Sequence, residues 1–345
     1  MGIFKKWVLP GFLLFFVLFN TAVFASEATG ASGTADEVMG IKSGDLNVEG
    51  LYNRIRYAPL VYDKEESIVS FSNQGMRLEA TLTVPKNKQR SPIVITINGF
   101  VGNRDEEPIP GAGETVYERL CKVLAGHGIA SLRVDCRGYG NSDGTFDMVS
   151  FSSQVSDIKA AIDFIFTGLR YRVNSQSIGI LGFSQGGLVA AVTGSRHKQV
   201  DSLVLWSPPA HPPICYEGLL TKAGIKQGLA LTEGQNITLG LYLDGVYLGW
   251  DVTLGRQFFQ DLFMINPSIA IRDYKKALMV ISGLKDEIVW PQPHQSQLFL
   301  DNHEGLELLV AIDADHEFDY WDGPAAEKLT DAIYWSTAWF IKTLK

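Results

Sequence analysis

Two pentapeptides in the chain could present a serine nucleophile: Gly140-Asn141-Ser142-Asp143-Gly144 and Gly182-Phe183-Ser184-Gln185-Gly186. A serine flanked in this way can attack a carbonyl carbon if a strand runs into it and a helix runs out of it. The sharp turn lifts the hydroxyl above the sheet, and the helix start offers backbone N–H groups and a favourable dipole to a developing oxyanion. Small neighbours let such a turn close. Ser184 has this setting, with the apolar run Ile178 to Leu181 before it and the helix-like run Gly187 to Val192 after it. Ser142 lacks it: Thr145, Phe146 and Asp147 follow, and no apolar helix begins before Ser150. Ser184 is therefore the expected nucleophile, and Gly140 to Gly144 reads as a polar loop.

A serine needs a base, and the base needs an orienting acid; at a strand–turn–helix site they follow in the order Ser, Asp or Glu, His. His294, His303 and His316 come late enough. The reacting groups must gather at the carboxyl ends of parallel strands. His303 precedes the strand-like run Leu306 to Ile312 and falls at the wrong edge, and His294 lies in a helix-like stretch. His316 follows that strand and is the expected base. The preceding strand, Leu278 to Ile281, runs into Ser282-Gly283-Leu284-Lys285-Asp286-Glu287, which makes Asp286 the expected acid and Glu287 its rival. An oxyanion hole takes two N–H donors. Gln185, next to the nucleophile, supplies one. The loop Asn98-Gly99-Phe100-Val101-Gly102-Asn103-Arg104 stands where the second is needed, with Phe100 as donor. The acidic residues around His316 have no second His at ligand spacing, so they read as a solvated loop and not a metal site. The chemistry asks for no metal and no cofactor.

The elements that must hold these residues alternate. Ser67 to Ser72 and Met76 to Val84 form a hairpin pattern around Asn73-Gln74-Gly75. Strand-like runs follow at 93–97, 130–134, 178–181, 203–206, 278–281 and 306–312. Helix-like runs lie at 117–124, 151–169, 187–192 and 325–344; Val155, Ile158, Ile162 and Ile165 supply the helical period in the second. This order predicts an α/β fold: a mostly parallel central sheet covered on both faces by helices. The rhythm breaks over residues 207–267, rich in proline and aromatic residues, which is read as a cap inserted over the carboxyl edge of the sheet. Tyr242, Tyr247 and Trp250 are its candidate substrate-binding residues.

The 345 residues are 46% hydrophobic and 20% charged, enough for one large domain with a substantial core. The net charge of −8, with no basic cluster, argues against nucleic acid or an anionic membrane surface as partner. Lys5 and Lys6 precede an apolar run from Trp7 to Phe24, and Val23 and Ala25 have the spacing of a signal-peptidase site. Residues 1–25 are therefore expected to be a cleaved signal peptide, which makes the protein secreted or periplasmic; an uncleaved anchor is the alternative. Residues 26–56 are expected to be a flexible leader, and 57–345 the catalytic domain with its cap. Cys121, Cys136 and Cys215 are too few and scattered for a disulfide framework, although one bridge is permitted in an exported protein.

With these residues in place, the chain from about Ser67 onward resembles the feruloyl (cinnamoyl) esterase group of α/β-hydrolases, near the dienelactone-hydrolase and serine-aminopeptidase groups. Four stretches carry the resemblance. Asn98 to Arg104 is similar to the group's H-G-F-x-G loop, and Arg137 to Gly144 to its G-H-G-x-S-D-G loop. Gly182 to Gly187 is similar to its nucleophile elbow, and Gly283 to Val289 to its G-x-x-D-x-x-V acid loop. Asn98 and Tyr139 each stand where the group usually has His. The resemblance implies an α/β-hydrolase fold, Ser184, Asp286 and His316 as triad, and Phe100 and Gln185 as donors. The expected activity is hydrolysis of small-molecule carboxylic esters, with aromatic-acyl esters as one possible class. A serine peptidase of the aminopeptidase or prolyl-oligopeptidase type shares the triad and stays open, as does a binding protein on an inactive scaffold. The oligomeric state is not legible.

Overall fold

The structure is a computed structural model that describes residues 37–42, 47–57, 63–86 and 90–344. The expected signal peptide at residues 1–25 lies outside the described residues. The strands are β1 (Glu37–Lys42), β2 (Lys64–Asn73), β3 (Met76–Pro85), β4 (Ser91–Ile97), β5 (Ala130–Val134), β6 (Val173–Phe183), β7 (Val200–Trp206), β8 (Asn236–Leu243), β9 (Val246–Gly255), β10 (Ala277–Gly283) and β11 (Glu307–Ile312). The helices are α1 (Val48–Tyr57), α2 (Val116–Gly126), α3 (Phe151–Thr167), α4 (Gln185–Arg196), α5 (Pro212–Leu229), α6 (Arg256–Met264), α7 (Pro267–Ala270), α8 (His294–Asn302) and α9 (Glu327–Thr343).

Among the described residues, nine strands make one sheet in the order β1-β11-β10-β7-β6-β4-β5-β3-β2. The pairs from β5 through β4, β6, β7 and β10 to β11 are parallel. The edges are antiparallel, with β2 and β3 on one side and β1 on the other. Every residue of β4, β5, β10 and β11 is buried, as continuous apolar strands covered on both faces require. Two apolar clusters result, one on each face: one gathers α3 and α4 and the other α2 and α9. The α/β architecture expected from the alternation is the observed one.

Local sequence accounts for the boundaries. Gln74 and Gly75 both take positive φ, 51° and 81°, which joins β2 to β3 in a turn whose twist matches the strands. Thr115 and Glu118 form a reciprocal capping box at the start of α2, and Ser150 and Ser153 do the same for α3. The expected helical face of α3, Val155, Ile158, Ile162 and Ile165, is buried.

Two regions differ from or go beyond the sequence expectation. The stretch expected to be leader contains β1, paired antiparallel with β11, and α1. Composition hid a short amphipathic pattern: Val48, Tyr52 and Ile55 form one buried face of α1. The Tyr52 ring stacks on Trp335 of α9 at 4.4 Å, and its hydroxyl donates to Asp331 at 2.6 Å. The stretch 207–267, read in sequence as a cap with no elements assigned, contains α5, the β8–β9 hairpin and α6. Asp261 of α6 accepts from the Ser152 backbone N–H of α3 at 2.7 Å, which fastens this segment to the sheet's helical layer.

Candidate active site

Ser184 sits between the end of β6 and the start of α4 with φ 52° and ψ −120°. A non-glycine residue pays strain to hold positive φ, and it persists only where its surroundings enforce it. Here they do. The Ser184 N–H donates to Trp206 O of β7 at 2.8 Å, and its carbonyl accepts from Gly187 and Leu188 at 2.9 and 3.2 Å. The flanking glycines are sterically required. A Cβ on Gly182 would lie 2.1 Å from Gly186 O, and one on Gly186 would lie 2.2 Å from Ile97 O. Ser142 differs in kind: its hydroxyl donates to Asp135 O at 2.6 Å and accepts from Glu79 N at 2.8 Å, so it pins its loop to β3.

Asp286 and His316 meet at the carboxyl ends of β10 and β11. His316 Nδ1 lies 2.7 Å from Asp286 Oδ2, and both side chains are buried. The other Asp286 oxygen accepts from the Ile288 and Val289 N–H groups at 2.9 and 2.7 Å, which fixes the carboxylate plane. Glu287, its rival, is exposed. His316 is held from two further sides: its carbonyl accepts from Ser207 Oγ at 3.2 Å, and its ring lies 5.0 Å from that of Phe183, the neighbour of Ser184. Burial works against the imidazolium, but the charge and hydrogen bond of Asp286 oppose it. With Glu317 and Asp315 adding to that side, the His316 pKa stands above the ordinary imidazole value. His303 faces elsewhere, between Glu307 at 2.8 Å and the Lys276 carbonyl at 3.0 Å, and His294 is exposed at the start of α8.

The loop after β4 is gripped peptide by peptide. The Gly99 N–H donates to Glu106 Oε1 at 2.8 Å. Asn98 Nδ2 donates at 2.9 Å to Gly99 O, the oxygen of the same peptide whose nitrogen belongs to Phe100. Tyr139 Oη donates to Phe100 O at 2.6 Å. Phe100 N–H is thus oriented by its neighbours on both sides. Gln185 N–H belongs to the first turn of α4, where no intrahelical acceptor exists. Gln185 thus directly follows Ser184, and Phe100 lies in the loop after β4, the strand that pairs with β6.

The cap residues near this loop are not those expected. Tyr242 pairs with Tyr247 across the hairpin at 5.7 Å, and Tyr247 and Trp250 are exposed. The cap rings that reach Phe100 are Tyr216 of α5 and Phe258 of α6, at 5.2 and 5.3 Å. They reach it because α5 and α6 lie against the sheet's helices, while the six residues that begin β9 are exposed. Glu106 also escaped the sequence reading. Its one trace was Gly102, where a Cβ would lie 1.1 Å from Glu106 Oε2. Burial, with the charge of Glu107, pushes the Glu106 carboxyl well above the usual range. Glu107 and Glu317 help line a small hollow with Phe183, Trp206 and Phe318. Burial, then Glu107, pushes Glu317 up to about 7.

Cys121, Cys136 and Cys215 are buried free thiols. Burial, with the charge of Asp286, pushes Cys215 up to about 12, so it stays a neutral thiol beside the acid. Among the described residues, no group of three His, Cys, Asp or Glu side chains could hold a metal ion, and no helix is long and apolar enough to cross a membrane.

The chain is similar to several known proteins. The family described as "Serine aminopeptidase, S33" matches residues 109–228. The AB hydrolase superfamily protein YisY of Bacillus subtilis (strain 168) is 31% identical over 97 residues, 28% of this chain and 33% of that protein. The chain spans only about a third of the length of the curated relatives it matches, 36% and 33% for the first two. Among solved structures, Est1E from Butyrivibrio proteoclasticus with bound ferulic acid superposes with a TM-score of 0.59 at 23% identity, over 77% of this chain and 96% of that one. Dienelactone hydrolase from Anabaena variabilis superposes with a TM-score of 0.54 at 17% identity, over 82% and 100%. Sheet order and superposition agree that the chain has the α/β-hydrolase fold, with Ser184 at its strand-to-helix elbow.

Proposed function

We propose that the protein is an exported serine hydrolase that cleaves carboxylic esters through Ser184, His316 and Asp286. The observation that carries the reading is the 2.7 Å contact of His316 Nδ1 with a buried Asp286, at the same sheet edge where Ser184 is held at positive φ. Asp286 holds His316 in the tautomer whose Nε2 accepts a proton. Ser184 Oγ attacks the ester carbonyl as His316 takes its proton. The tetrahedral oxyanion lies between the Phe100 and Gln185 N–H groups. His316 then protonates the leaving alcohol, and later activates the water that frees the acyl-enzyme. The aromatic rings around Phe100 support an aromatic-acyl substrate, since they offer a flat apolar wall beside the oxyanion loop. The bound ferulic acid of the Est1E structure supports the same class. The basic and apolar start of the chain, with Val23 and Ala25, supports export; the mature N-terminus is then Ser26, which terminal sequencing checks.

One observation favours a second reading, a serine aminopeptidase. Glu107 and Glu317 stand in electrostatic range of His316, where carboxylates could hold a substrate amine, and the matched family is an aminopeptidase family. Turnover of p-nitrophenyl acetate, methyl ferulate and an aminoacyl-p-nitroanilide separates the two. The ester reading predicts turnover of the first two; turnover of the anilide alone contradicts it.

A further inference from the structure

The two oxyanion donors belong to residues far apart in the chain, yet one buried hydroxyl touches both residues. Tyr139 Oη donates its only hydrogen to Phe100 O at 2.6 Å. It must then accept from Gln185 Nε2, 3.3 Å away. That fixes which end of the Gln185 amide is nitrogen. The same nitrogen donates to Gln154 Oε1 at 2.6 Å, and the amide oxygen accepts from the hydroxyl of Tyr216. Tyr216 belongs to the cap helix α5, and its ring meets that of Phe100 edge-on at 5.2 Å. Tyr139, Gln154, Gln185 and Tyr216 are all buried, so water cannot readily replace a lost member. A single chain of hydrogen bonds therefore runs from the cap through the residue after the nucleophile to the peptide of the oxyanion loop.

We propose that Tyr139 is a positioning residue that holds the Phe100 and Gln185 donors in register with each other, and that Tyr216 ties this register to the seating of the cap. The inference rests on the ester-hydrolase reading. Tyr139 does not touch the reacting atoms. It acts by fixing where the Phe100 N–H points, and a donor misplaced by a fraction of an ångström stabilises the transition state less while leaving ground-state binding almost intact.

The test uses the full chain, p-nitrophenyl acetate, whose acyl group is too small to need the cap, and phenylboronic acid as a tetrahedral-anion mimic. Tyr139→Phe removes one oxygen atom. The expected result is a fall in kcat of about tenfold or more, on the scale of a partly lost oxyanion donor. KM stays within twofold, and phenylboronic acid inhibition weakens in proportion to kcat. Tyr216→Phe lowers kcat less, and adds nothing in the Tyr139→Phe background because both act through one chain. Unchanged kcat in Tyr139→Phe overturns the inference. So does a fall in kcat that tracks a lower thermal midpoint with boronate affinity intact, since that is a merely structural role. Independent, multiplicative effects overturn the link to the cap. If Tyr139→Phe does not fold, Tyr216→Phe decides: reduced kcat at steady KM supports the chain and unchanged kcat overturns it. Labelling of the unaltered protein with a fluorophosphonate separates the two levels. No label on Ser184 overturns the ester-hydrolase reading and this inference with it, whereas normal labelling with unaffected kcat in Tyr139→Phe overturns this inference alone.

Discussion

Asp286 and His316 form a pair whose protonation the rest of the site adjusts. In the proposed mechanism His316 works as base only when neutral, so activity is expected to fall as pH drops through its pKa. Because Asp286, Glu317 and Asp315 together outweigh the effect of burial, that acid limb lies above the ordinary imidazole value. Asp286→Asn removes the main opposing charge and the tautomer lock. The acid limb of kcat/KM then moves to lower pH, and kcat falls by about a thousand- to ten-thousand-fold; a pH–rate profile of both proteins checks this. Glu106 makes a second prediction with the opposite chemistry. Its carboxyl is held well above the usual range, chiefly by burial, so the native state keeps a proton that the unfolded chain releases. The stability it contributes is full below the unfolded carboxylate pKa and is lost as pH rises toward the folded one. Glu106→Gln keeps a neutral acceptor for the Gly99 N–H at every pH. Its thermal midpoint relative to the unaltered protein therefore improves from pH 5 to pH 8 by calorimetry; a difference independent of pH contradicts the assignment. The places of Ser184, Asp286 and His316 in the fold were legible because each follows a strand in a short local pattern. Glu106 was not, because its meaning lies in the hollow over Gly102 and not in any spacing.

Elements differ in how much of their role is local. The parallel strands could be read from continuous apolar runs, and α3 from its period, since burial on two faces or on one stripe leaves a direct mark on sequence. The helix α1 could not, because only Val48, Tyr52 and Ile55 mark its face within a polar stretch and their partner is α9, some 280 residues later. Its contribution is measurable. Tyr52→Ala loses the stack on Trp335 and the hydrogen bond to Asp331, and should destabilise the fold by about 3 kcal/mol in urea unfolding. A change below about 0.5 kcal/mol would place α1 outside the cooperative unit. The cap was legible as an interruption and illegible in detail. Tyr216 touches Gln185 across 31 residues of sequence and Phe258 packs on Phe100, and neither pairing leaves a motif. The aromatic residues that drew notice in sequence, Tyr247 and Trp250, are exposed on the hairpin.

At the scale of the whole molecule, the sheet brings residues from four distant segments to one edge. The ends of β4, β6, β10 and β11 deliver the Phe100 loop, the Ser184 elbow, Asp286 and His316, the residues of the proposed mechanism, while α5 and α6 pack on the loop that carries Phe100. Ser142 stands outside this arrangement in spite of its motif. Ser142→Ala should cost about 1 kcal/mol of stability through its two lost hydrogen bonds, with kcat nearly unchanged. Fluorophosphonate labelling followed by peptide mass spectrometry tests the proposed nucleophile, Ser184, most directly. One adduct is expected on the peptide that contains Ser184, retained in Ser142→Ala and absent in Ser184→Ala. An adduct on Ser142, or none on Ser184 in the folded protein, would contradict that assignment.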